Sequence, residues 1–179
     1  MIITLINFIT LSRIFIALTI FIFLVLDSYL LFAFVLFFIA GISDYFDGYL
    51  SRKYDATSQL GEILDPVADK ILIVFLFFGL SLNLSSFLIG FGGSLIISRE
   101  IWISALRDFN SRNNNQSATK VIFLAKIKTT VQIFTLSVYL FALATNLMLL
   151  IPLADLLLVF SVLITLYTGY LYTIKTFKN

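Results

Sequence analysis

Three observations predict an all-α integral membrane fold of six transmembrane helices. Hydrophobic residues fill 60% of the 179 positions and charged residues 12%, with a mean hydropathy of +1.05, far from soluble averages. Six apolar runs approach the ~20 residues that a spanning helix takes. They use nearly the whole length, which reads as a single membrane-embedded domain over residues 1–179. Every Lys and Arg falls on one side of the alternating connections, so both termini are expected in the cytoplasm.

The first span, about residues 4–26, carries Arg13 inside it and lacks a basic leader and a small-residue cleavage site. It therefore reads as a retained helix, not a secretory signal. Asn7, Thr10 and Arg13 recur every third residue along its cytoplasmic half. Arg13 either snorkels to the interface or faces the aspartates of residues 44–69 and contacts a phosphate. A turn at Asp27-Ser28 leads to a second span, about 30–52, whose last turns carry Asp44, Asp47 and Arg52. Residues 53–60 form a polar connection. The third span, about 62–80, has Pro66 in its first turn, where a missing N–H costs little. That start would set Asp65 and Asp69 near the positive end of the helix dipole.

The uncharged stretch 81–86 reads as the far-side turn. A fourth span, about 87–109, opens with Gly90, Gly92 and Gly93, which permit close helix approach. Its second half holds Arg99, Glu100, Arg107 and Asp108. Glu100 and Arg107, seven apart, share nearly one face; the competing explanation of these four charges is a pair of internal ion bridges that steady the bundle. Residues 110–119 are hydrophilic and read as a loop. The fifth span, about 120–147, begins with Lys120, Lys126 and Lys128; the last two lie ~9–12 Å further in and need an anionic partner. The sixth, about 150–173, has Pro152 and Asp155 early and Lys175 and Lys178 after it. The chain has no internal repeat.

Residues 44–69, DYFDGYLSRKYDATSQLGEILDPVAD, concentrate the chemistry. Asp44 and Asp47 are three apart, Asp65 and Asp69 four apart, so each pair shares a helix face. A carboxylate deep in a bilayer costs about 2.5–3.5 kcal/mol even on the lenient scale. Arg52 and Lys70 offset only two of the four charges, and Mg²⁺ or Mn²⁺ would offset the rest. Two such ions form the usual clamp for phosphoryl chemistry. The competing explanations are acids marking a water-exposed helix end, or a structural cation site. With no Cys and no His, thiol catalysis and imidazole bases are excluded, and a proton acceptor falls to a carboxylate or a shifted Lys. A net charge of +2 gives no argument for nucleic acid.

The string Asp44-x-x-Asp47-Gly48-x-x-Ser51-Arg52-x8-Gly61-x-x-x-Asp65-x-x-x-Asp69 resembles the signature of the CDP-alcohol phosphatidyltransferases, with Ser51 where Ala is usual. ILDPVADK, SREIWISALRD, AKIKTT and the N-terminal Asn7-x-x-Thr10-x-x-Arg13 are similar to segments of the family's phosphatidylglycerophosphate synthase branch. The resemblance covers about residues 5–132. It implies a six-helix CDP-alcohol phosphotransferase-type bundle, usually dimeric, catalytic as one domain, in the cytoplasmic membrane with its site facing the cytoplasm. By position, Asp44, Asp47, Asp65 and Asp69 would bind two Mg²⁺ or Mn²⁺ ions, and Asp69 would also be the catalytic base. Thr10, Arg13, Asp44, Asp47, Gly48, Ser51, Arg52 and Gly61 would bind CDP-diacylglycerol. The implied reaction joins its phosphatidyl group to sn-glycerol 3-phosphate, giving phosphatidylglycerol phosphate and CMP. Arg99, Arg107, Lys126 and Lys128 are candidates for the acceptor phosphate. Inositol phosphate, or phosphatidylglycerol as in cardiolipin synthesis, are alternative acceptors; a basic pocket disfavours serine. An ion-coupled transporter would also place charges at mid-membrane, but it typically shows a repeat. A membrane prenyltransferase usually has its acidic motifs far apart.

Overall fold

The computed structural model describes residues 2–54, 59–113 and 123–178, and they form six α-helices. These are α1 (Ile2–Val25), α2 (Leu30–Tyr54), α3 (Gln59–Asn83), α4 (Phe87–Arg112), α5 (Phe123–Thr145) and α6 (Ile151–Phe177). A single 3-10 turn, Met148–Leu150, precedes α6. Among the described residues, α1, α2, α4, α5 and α6 are long and apolar enough to cross a membrane. The remaining helix, α3, carries Asp65, Asp69 and Lys70 in its first half and is apolar from Ile71 onward.

The helices pack as a closed ring in the order α1, α2, α5, α6, α4, α3 and back to α1. Two arcs make up this ring: α1 to α3 on one side, α4 to α6 on the other. They meet at two seams, α2 against α5 and α3 against α4. The inward face of α1 is Thr10, Arg13, Ala17, Ile20 and Leu24, all buried, in alternating steps of three and four. Buried residues on α6 repeat the pattern at Ala154, Leu158, Ser161, Thr165, Thr168 and Tyr172. That is the period of side chains meshing between nearly parallel helices. Outward positions such as Phe15, Phe32, Phe78 and Phe160 are exposed, as lipid-facing residues of a membrane bundle are. Apolar residues all round each helix therefore follow from having lipid outside and packing inside.

Three turns at the far end of the bundle close in the same way. Ser28 N–H donates to the Phe23 carbonyl at 3.0 Å, Ser86 to Ser81 at 3.0 Å, and Leu147 to Ala142 at 2.9 Å. The residue before each donor is left-handed: Asp27 at φ 48°, Ser85 at φ 48° and Asn146 at φ 55°. This geometry satisfies helix C-terminal carbonyls without a charge. Asn83 Nδ2 adds a bond to the Leu24 carbonyl at 2.8 Å, which ties α3 to the first turn.

Glycine sets the separation of α3 and α4. A Cβ at Gly93 would lie 2.6 Å from Phe77 Cβ, whereas one at Gly41 would meet nothing within 4 Å. Gly93→Ala is expected to destabilise the bundle by about 1–3 kcal/mol through overpacking. Gly41→Ala is expected to be neutral or to stabilise by roughly 0.5–1 kcal/mol through lost backbone entropy. Thermal unfolding of the two variants in one detergent checks the contrast; equal midpoints would contradict the packing account.

Two local expectations are corrected. Helix α3 begins at Gln59, not near residue 62, so Pro66 lies inside it and Asp65 and Asp69 are beyond the first turn. Proline is costly there because it cannot donate to the carbonyl four residues back, and the dipole argument for the two acids lapses. Helix α4 continues to Arg112, so 110–112 are helical instead of loop. Asn110 is buried, and its Nδ2 donates to the Leu106 carbonyl and to Thr176 Oγ1, both at 2.9 Å. That pairing with α6 offsets the burial of a polar amide. Residues 114–119 of the expected loop and the Lys120 position lie outside the described residues.

Candidate active site

Asp44 and Asp47 come from the last turns of α2, Asp65 and Asp69 from α3, and all four converge on Arg13 of α1. Arg13 Nη1 donates to Asp44 Oδ1 at 2.7 Å and to Asp69 Oδ1 at 2.6 Å. Its Nη2 pairs with Asp47 Oδ2 and lies 3.8 Å from Asp65 Oδ1. Thr10 Oγ1, three residues earlier on the same face, donates to Asp47 Oδ2 at 3.1 Å and Asp65 Oδ1 at 2.8 Å. The Arg13 side chain is 0% exposed and that of Asp47 4%, whereas Asp44, Asp65 and Asp69 are about half exposed. One wall of the cluster is thus dry and the other open. Of the two expectations for Arg13, inward placement holds, but its partners are carboxylates.

The donor set suits hard divalent cations. Four carboxylates surround one guanidinium, so the cluster carries an excess of negative charge, and three of its members face outward. The described residues contain no group of three or more acids already gathered at metal-ligand spacing. Their separation is the one imposed by the flat guanidinium between them.

Gly48 and Ser51 follow Asp47 on α2 and are partly buried, and Gly61 is buried one turn before Asp65. The side chains of Arg52 and Lys126 lie outside the described residues. Lys70 turns from the acids and donates to Ser104 Oγ of α4 at 2.6 Å, across the seam between the arcs.

A second polar cluster occupies the other arc. Arg99 and Lys128 are buried and share Glu100 Oε1, Arg99 Nη1 at 3.0 Å. Arg99 Nη2 also donates to Thr168 Oγ1 at 2.9 Å, and its guanidinium lies 5.8 Å from the Tyr172 ring centre. A Cβ at Gly169 would stand 3.0 Å from Arg99 Cγ, so this glycine lets the arginine lie along α6. Arg107 is exposed and does not pair with Glu100. Seven residues separate those two by ~10.5 Å along the axis, while Lys128 reaches Glu100 from another helix. Asp108 is likewise at the surface, paired with Arg112 at 2.9 Å. The α6 contribution escaped the sequence reading, although Thr165, Thr168, Gly169 and Tyr172 recur at helical spacing in an apolar run.

The acids stand on the C-terminal half of α2 and the N-terminal half of α3, with Arg13 and Thr10 on the N-terminal half of α1. The basic cluster stands on the C-terminal halves of α4 and α6 and the N-terminal half of α5. With the Lys70–Ser104 bond joining α3 to α4, both clusters lie at the same end of the ring.

A ring of apolar helices with this acid cluster at one end defines a class. The chain belongs to the CDP-alcohol phosphatidyltransferase family, whose family model matches residues 3–167. Proteins named CDP-diacylglycerol–glycerol-3-phosphate 3-phosphatidyltransferase are similar to it. That of Blochmanniella floridana is 42% identical over 102 residues, 57% of this chain and 54% of the relative. For Haemophilus influenzae the identity is 41% over 102 residues, 57% of this chain and 55% of the relative. For Escherichia coli K12 it is 34% over 103 residues, 58% and 57% respectively. The chain spans about half the length of the curated relatives it matches.

Proposed function

We propose that the chain transfers the phosphatidyl group of CDP-diacylglycerol to sn-glycerol 3-phosphate, giving phosphatidylglycerol phosphate and CMP. The observation that carries this reading is the gathering of Asp44, Asp47, Asp65 and Asp69 from two helices around Arg13. Family membership and the names of the similar proteins support it. The four aspartates would hold two Mg²⁺ or Mn²⁺ ions, whose chemistry there would be to neutralise charge on the diphosphate and on the departing CMP. Gly48, Ser51, Gly61 and Arg52 lie against the CDP moiety, and the acyl chains stay in lipid beside the exposed outer faces. An oxygen of Asp69 takes the proton of the acceptor's primary hydroxyl as the hydroxyl oxygen bonds to the β-phosphorus and the bond from that phosphorus to the bridging oxygen breaks, releasing CMP.

Arg99 and Lys128 hold the acceptor phosphate, with Arg107 and Lys126 as further candidates for it. Glu100 is their anionic partner otherwise, so the acceptor phosphate takes over contacts that already exist. Two buried cations favour a phosphorylated acceptor over serine. In this reading α3 is the sixth span, both termini and both clusters face the cytoplasm, and the chain works as one catalytic domain, in a homodimer, in the cytoplasmic membrane.

A reconstituted assay tests the proposal. Purified protein receives CDP-diacylglycerol, Mn²⁺ or Mg²⁺, and in turn glycerol 3-phosphate, inositol phosphate, serine or phosphatidylglycerol. CMP release with glycerol 3-phosphate alone is the expected outcome. Release only with inositol phosphate would move the specificity within the family, and no release with any acceptor would overturn the enzyme reading.

A further inference from the structure

We propose that Arg13 and Thr10 are positioning residues for the four aspartates, holding one oxygen of each and leaving the second to divalent cations. The inference rests on the metal-dependent reading above and assigns these two residues a part other than contact with substrate phosphate. Its basis is the atoms involved. The contacts of Arg13 fall on Oδ1 of Asp44, Asp65 and Asp69 and on Oδ2 of Asp47. The two described Thr10 bonds fall on the same oxygens of Asp47 and Asp65 that Arg13 approaches. None of the described hydrogen bonds from these two donors falls on the other oxygen of any of the four. A substrate-binding arginine would be open to the ligand, but this one is wholly buried beneath the acids.

The planar fork explains why the residue is arginine. Nη1 reaches one carboxylate from α2 and one from α3, and Nη2 does the same, so one rigid group sets the spacing of both helix pairs. Its Nε is buried without a hydrogen-bond partner among the described residues, so the side chain is held through its Nη atoms alone. Four acids without this group would splay by mutual repulsion, and the cation-facing oxygens would lose their common geometry.

Equilibrium titration of Mn²⁺ onto the purified full chain, with free Mn²⁺ followed by paramagnetic resonance, tests this directly. Coulomb's law alone makes Arg13→Gln bind Mn²⁺ more tightly, because a positive charge beside the ions is removed. Positioning makes the same variant bind about 10–100-fold more weakly, the usual range for groups that orient metal ligands. Arg13→Lys keeps the charge but not the fork, and is expected to fall in the same direction. Thr10→Val should weaken binding by a smaller factor that Thr10→Ser restores, with the unfolding midpoint of the metal-free variants unchanged. If Arg13→Gln does not fold, the Lys and Thr10 variants decide. Mn²⁺ binding by the variants at wild-type affinity or tighter would overturn the inference and leave the metal site intact. A wild-type chain that binds no Mn²⁺ would overturn both.

Discussion

Asp69→Asn is expected to reduce turnover by about 10²–10⁴-fold, the range lost with a general base. The change is nearly isosteric and keeps the oxygen that accepts from Arg13 Nη1 at 2.6 Å, so the cluster retains its shape. What disappears is the second oxygen, which in the proposed reading faces a cation and also accepts the hydroxyl proton; the amide nitrogen in its place cannot take that proton. The sequence contains no histidine to substitute for it, and Lys70, the next residue, is committed to Ser104. The reconstituted assay reads kcat directly, with Mn²⁺ retention and the unfolding midpoint measured alongside. A kcat within a few-fold of wild type, with metal still bound, would remove Asp69 from proton transfer.

Glu100→Ala is expected to have the largest effect on stability. Arg99 and Lys128 are each 7% exposed and share one oxygen of this acid. Its removal leaves two buried cations facing each other without an anion, a change worth about 3–5 kcal/mol when a buried pair is broken. The loss should be partly reversible from outside. Inorganic phosphate or glycerol 3-phosphate would take the place of the missing carboxylate and raise the unfolding midpoint of the variant by more than that of the wild type. Such rescue would identify the pair as an anion site. A variant as stable as wild type, or one indifferent to phosphate, would restrict Arg99 and Lys128 to other work.

The clarity of the site in the sequence varied with the range of the interactions. Asp44, Asp47, Asp65 and Asp69 could be grouped in advance because helical spacing and the cost of charge in lipid are local arguments. Even so, three apart and four apart place acids on a face without saying what lies between them. Arg13 fills that place from more than thirty residues away, and only the ring order brings α1 against both α2 and α3. Spacing within a helix, which is what a sequence displays, sets Glu100 and Arg107 on nearly one face. The actual partner of Glu100, Lys128, depends on how α4 and α5 are arranged in the ring. The Thr168 and Tyr172 contacts were hidden for a similar reason, since hydroxyl residues in a span also bond their own backbone, as Thr168 does to Ile164. Helix bounds differ from expectation where polar residues belong to a helix: Gln59 starts α3 and Asn110 lies in the last turn of α4.

The two arcs touch along α2–α5 and α3–α4, and each arc carries one charged cluster with its own internal bonds. The gap across which a group would travel is consequently governed by packing well away from any charge. Phe77 against Gly93 acts as a spacer in that sense, a shim of bare hydrocarbon between the two arcs. Thickening it would widen the crossing while both ends kept their grip.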